Sequence, residues 1–66
     1  MTVDIGDILL WKHIPVFDYD NAEYFLVLDI DKEYEDPYLC LCLNTGLHER
    51  FTGRTFGNAE FWEIVA

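Results

Sequence analysis

Between residues 24 and 35 the chain carries two patterns on alternate positions: Tyr24, Leu26, Leu28 and Ile30 on the even ones, Asp29, Asp31, Glu33 and Glu35 on the odd ones. A period of two belongs to a β-strand, in which successive side chains leave on opposite faces. The alternation predicts a strand over residues 23–32 whose even face enters a core while its odd face forms an acidic comb in solvent. Phe25 and Val27 place apolar side chains on the odd face. The beginning of the strand is therefore expected to be covered on both sides, and its far end to project into water.

The rest of the chain is punctuated in the same idiom. Gly6-Asp7 precedes a short apolar run, Ile8-Leu9-Leu10-Trp11, that reads as a first strand. Pro15 and the cluster Asp18, Asp20 and Asn21 argue for a loop over residues 13–22, with Val16, Phe17 and Tyr19 folding back as a lid. Tyr34-Glu35-Asp36-Pro37 turns the chain into a third strand over residues 38–43, with Leu39, Leu41 and Leu43 on one face and a hairpin to the second strand. Asn44-Thr45-Gly46 is another turn, followed by a weaker strand over residues 47–52 and a break at Thr52-Gly53-Arg54. One short turn fits residues 58–61, and Phe61-Trp62-Glu63-Ile64-Val65 closes the chain as a fifth strand.

These signals describe one all-β domain over residues 1–66. Five short strands favour a small, closed or nearly closed five-stranded SH3-like barrel, because an open sheet of this size leaves costly edges. An OB-fold would place a helix between strands three and four, where this stretch is short and rich in turns. A domain of this length buries only about 60% of its unfolded surface, so its core must be dense. Eleven aromatics supply the bulk (five Phe, four Tyr, two Trp). Cys40 and Cys42, two apart in a strand, have Cα atoms about 6.6 Å apart, near the upper limit for a disulfide. They are expected to be free thiols in a reducing cytoplasm.

Gly6-Asp7-Ile8-Leu9, Phe25-Leu26-Val27-Leu28 and Phe61-Trp62-Glu63-Ile64-Val65 together resemble the small SH3-like proteins found widely among bacteriophages, many without assigned activity. The resemblance covers nearly the whole chain. It implies an SH3-like fold and a viral origin, and transfers no catalytic residue.

Charge narrows the partners. Residues 1–36 hold ten acids against Lys12 and Lys32, a net of −8, and the remainder contributes −1 to the formal −9. Nucleic acid is not an expected direct ligand, since affinity for phosphates needs Lys and Arg to displace counterions. Nor does any stretch approach the roughly 20 apolar residues of a membrane span, and no leader pattern is visible. The chain is expected to be soluble, unprocessed and cytoplasmic, and its partner a protein with a basic surface patch.

Other constellations compete with that reading. Val16-Phe17-Asp18-Tyr19 is similar to the Ala-Leu-Tyr-Asp-Tyr segment of true SH3 domains, but the Trp pair and the closing Pro and Tyr of a polyproline groove are missing. A cage for a methylated lysine or arginine could draw on Trp11, Tyr19, Tyr24, Tyr34 and Tyr38 with Asp18 or Asp20. In so small a domain most of these aromatics are needed for the core. Cys40, Cys42, His13 and His48 are zinc-ligand types at poor spacing. No nucleophile motif or phosphate loop accompanies the thirteen carboxylates, so no cofactor, metal or catalytic residue is assigned. The comb has about half the charge density of one DNA strand, which makes it thin as a mimic of a duplex.

The sequence therefore points to a non-enzymatic acidic protein-binding module that modulates a host or viral protein. Asp29, Asp31, Glu33 and Glu35 would steer the approach, and Tyr34, Tyr38 or Phe25 would anchor it. The alternative is a small structural or accessory subunit of a virion or larger complex.

Overall fold

The structure is a computed structural model that describes residues 2–12 and 22–66. The expected lid of Val16, Phe17 and Tyr19, with His13, Asp18 and Asp20, lies outside the described residues. Among the described residues five strands form where the turn signals place them: β1 (Ile8–Trp11), β2 (Glu23–Ile30), β3 (Tyr38–Cys42), β4 (His48–Phe51) and β5 (Trp62–Ile64). A single 3₁₀ turn, Thr55–Gly57, separates the last two. All pairings are antiparallel in one sheet of order β4-β3-β2-β1-β5.

The all-β expectation holds, but the ladder does not close into a barrel. β5 uses all three of its residues on β1, and the chain between β4 and β5 carries Phe56 into the seam instead of joining the two strands. The seam is bridged by side chains: Phe51 of β4 and Trp62 of β5 lie 5.5 Å apart between ring centroids. Phe56 is 1% exposed and meets the rings of Trp62 at 5.0 Å and Tyr38 at 5.2 Å, both edge-on. Burying such a ring contributes about 1.5–3 kcal/mol. Thr52 sets up this turn, its Oγ1 accepting from the Thr55 amide at 3.2 Å.

β2 corrects the strict alternation. Val27 lies opposite Cys40 and Asp29 opposite Leu39, which leaves Leu28 as the extra residue of a β-bulge. Before the bulge the odd residues face inward: Phe25 and Val27 are buried, with Leu9 and Cys42 opposite Phe25. After it the even residue does, and Ile30 packs against the same core. Tyr24 and Leu28, expected inside, are 36% and 37% exposed, and Leu26 is half-buried. The reason is energetic. An unbroken strand with Phe25 and Val27 inside would carry Asp29 inside as well, and an unpaired buried carboxylate is far costlier than one bulge.

Local hydrogen bonds hold this register. Gly6 donates to the Val27 carbonyl and the Val27 amide to the Asp7 carbonyl, each at 2.9 Å, extending the β1–β2 contact beyond the ladder. Gly6 has φ +92°, a conformation that L side chains rarely adopt. At the other end of β2, the Asn44 side chain acts as a surrogate strand. Its Oδ1 accepts from the Tyr24 amide at 2.8 Å, and its Nδ2 donates to the Ala22 carbonyl at 3.3 Å. The β3–β4 turn is thereby tied to the entry of β2.

Candidate functional site

The register gives the sheet two dissimilar faces. On the concave face stand the aromatics and the thiols. The opposite face carries a row across three strands, Ile8, Leu26 and Leu41, ending at His48 on β4. Beside it run Asp29, Leu39 and Arg50. Leu28, Leu43 and Leu47 are exposed around this patch. Leu39, Leu41 and Leu43 were expected to share a face; Leu39 and Leu41 share this outer one through their register with Asp29 and Leu26.

The acidic residues adjoin it, but not as a comb. β2 ends at Ile30, and residues 31–37 form the connection to β3. The Asp31 amide donates to the Pro37 carbonyl at 2.9 Å, and the Asp31 carboxylate accepts from the Glu33 amide at 3.0 Å. Asp31 therefore builds the turn, while Glu33, Glu35 and Asp36 are exposed on it. The strand spacing assumed for the comb is lost beyond Asp29. Arg50 reaches in from β4, with its guanidinium 3.9 Å from the centre of the Tyr34 ring and Nη1 donating to the Asp36 carbonyl at 3.4 Å. Five acids at positions 29, 31, 33, 35 and 36 stand against Lys32 and Arg50, a local net of −3. Of the expected anchors, Tyr34 is exposed, Tyr38 is half-buried against Phe56 and Phe25 is buried.

On the concave face a cavity of about 230 Å³ is lined by Trp11, Glu23, Phe25, Glu49, Phe51, Thr55 and Trp62. Glu23 lies opposite Trp11, Trp11 opposite Trp62, and Glu49 opposite Cys40, so four strands contribute to one wall. Of the described members of the cage suggested by sequence, only Trp11 lines it. Tyr24 is on the outer face, Tyr34 is under Arg50, Tyr38 is against Phe56, and Tyr19 lies outside the described residues. Phe25, Phe51 and Trp62 converge through the registers of β1, β3, β4 and β5, which put all three on one face. The alternating pattern gave no hint of that, although the apolar pair Phe25 and Val27 on the acidic face was the available signal.

Cys40 and Cys42 are free and buried on the concave face, while His48 is exposed on the outer one, so these three do not meet. Burial first, and the Glu49 carboxylate second, push the Cys40 thiol up from 9.0 to about 11. The folded chain holds this proton where the unfolded chain has released it. Its stabilising contribution is therefore full below pH 9 and is lost as pH rises through about 11. Native protein is expected to leave Cys40 unmodified by an aromatic disulfide reagent at pH 8 and to react only after denaturation. Rapid native labelling of Cys40 would contradict its placement.

No protein-family model, curated protein or solved structure matches this chain.

Proposed function

We propose that the chain is a non-enzymatic protein-binding module whose contact surface is the outer leucine face of β1–β3, with the acidic turn at its end. The observation that carries this reading is the juxtaposition of half-buried Leu26, Leu39 and Leu41 and exposed Leu28 with Asp29, Glu33, Glu35 and Asp36. Apolar side chains at the centre and charges at the rim are the anatomy of a protein interface. The partner has a basic patch beside an apolar one. The turn steers the encounter and the leucines hold the complex, because rim charges act mainly on association and desolvated anchors on dissociation.

An aromatic core enclosed by a curled sheet, with the seam spanned by Phe51 and Trp62, supports reading the fold as an SH3-like barrel completed by side chains. This agrees with the likeness to small phage proteins, and the module is accordingly assigned to a viral chain acting on a host or viral protein in the host cytoplasm.

The test compares capture from bacterial lysate by the wild type, by a turn variant (Asp29→Asn, Glu33→Gln, Glu35→Gln, Asp36→Asn) and by a face variant (Leu28→Ser, Leu41→Ser). The turn variant is expected to bind the same partner about tenfold more slowly at low salt, and the face variant to lose it. Equal recovery by all three would reject the surface. Recovery of the chain itself as its own partner would favour the role of an assembly subunit.

A further inference from the structure

The concave cavity has a chemistry that the outer face lacks. Its floor is Phe25 and Trp62, both buried, and Trp11 and Phe51 form half-buried walls. Trp11 and Trp62 stand 5.0 Å apart, and Phe25 and Trp62 5.6 Å, between ring centroids. Two carboxylates, Glu23 and Glu49, share the lining. Glu23 has contacts of its own. Glu49 is exposed, lies opposite Cys40 in the β3–β4 ladder and lines the concave side. Lys12, next to Trp11 in the chain, is directed to Glu63 at 3.6 Å.

We infer that this cavity seats one arginine side chain of a partner protein, its guanidinium on the faces of Trp11, Phe51 and Trp62 and its N–H groups on Glu49. Three observations select that occupant. The volume of about 230 Å³ is below the roughly 300–1,000 Å³ of pockets for drug-sized ligands, so it suits a single side chain. Aromatic faces beside carboxylates in a chain of formal charge −9 select a cation. A guanidinium is planar, weakly hydrated and rich in donors, and so satisfies rings and carboxylate together. A lysine ammonium holds its water more strongly, and a quaternary ammonium has no donor for Glu49. The fold already uses this pairing once, at Arg50 over Tyr34, 3.9 Å from the ring centre.

The inference takes from the proposed function only the source of the arginine, and it concerns the opposite face of the sheet. Its test is a titration of the full chain, followed through the indole N–H resonances of Trp11 and Trp62. The probes are acetylated, amidated Gly-Xaa-Gly peptides in which Xaa is arginine, citrulline, lysine or trimethyllysine. The arginine peptide is expected to shift both indoles saturably in the millimolar range and to bind at least about tenfold more tightly than the neutral citrulline isostere. Glu49→Gln, a change at an exposed position, should reduce that difference several-fold. Absence of a saturable shift, equal binding of citrulline, tighter binding of lysine or trimethyllysine, or an unchanged Glu49→Gln titration would each overturn it. Because the peptide is used alone, failure here removes the arginine seat and leaves the leucine face standing. Equal capture by the wild type, the turn variant and the face variant removes only the latter.

Discussion

Phe56→Ala is expected to unfold the domain, or to leave it with so little stability that its urea transition begins in buffer. The ring is 1% exposed and fills the seam that the ladder leaves open, against Tyr38, Phe51 and Trp62. Truncating a buried Phe to Ala costs about 3–5 kcal/mol. At about 0.05–0.15 kcal/mol per residue, a chain of this size has roughly 3–10 kcal/mol in total. The loss is thus comparable with the whole. The void left by the ring also cannot easily collapse, because the strands that carry Phe51 and Trp62 are held in place by their ladders to β3 and β1. Urea unfolding followed by near-ultraviolet circular dichroism checks this, with Leu47→Ala, on a 64% exposed side chain, as the near-neutral control. A change below about 1 kcal/mol for Phe56→Ala would mean that the ring is not the keystone of the seam.

The second large effect is a contrast between neighbours. Val27→Asp is expected to abolish folding, while Leu28→Asp should cost about 1 kcal/mol or less. Val27 is 1% exposed and faces Cys40 in the core. An aspartate there would bury a carboxylate with no partner, a penalty of several kcal/mol even after its pKa shifts. Leu28 is the unpaired residue of the bulge and is 37% exposed. A strand that kept its even residues inside would instead make Leu28→Asp intolerable. Two thermal melts therefore decide between the registers.

That contrast marks where the sequence was legible. Strand existence was, because β-branched and aromatic runs bounded by Gly6, Pro37, Gly46 and Gly53 leave few alternatives. The inward face of β3 was not legible, since Cys40 and Cys42 alternate with leucines and alternation alone does not say which set enters the core. The face of β2 was misread because a bulge adds a residue without any local signature, and a shift of one residue exchanges every side chain between faces. The apolar pair at 25 and 27 and the apolar pair at 28 and 30 compete for the inside, and the large ring of Phe25 helps decide it. The acidic residues were correctly expected at the far end of the hairpin. Their spacing was not, because the backbone amides of Glu33 and Tyr34 turn back onto Asp31, and strand geometry ends at Ile30. The concave cavity was beyond reach for a related reason. Trp11, Phe25, Phe51 and Trp62 come from four strands, and their meeting depends on the register of all of them.

One side of the sheet carries the aromatic core, and the leucine side, beside the acidic turn, is the surface proposed for a partner. The most direct measurement is a methyl and amide chemical-shift map of the labelled chain bound to the protein it captures. The largest changes are expected at the methyls of Leu26, Leu28, Leu39 and Leu41 and at the amides of residues 29–36. A map in which these signals stay unperturbed while the complex forms would contradict the proposed surface.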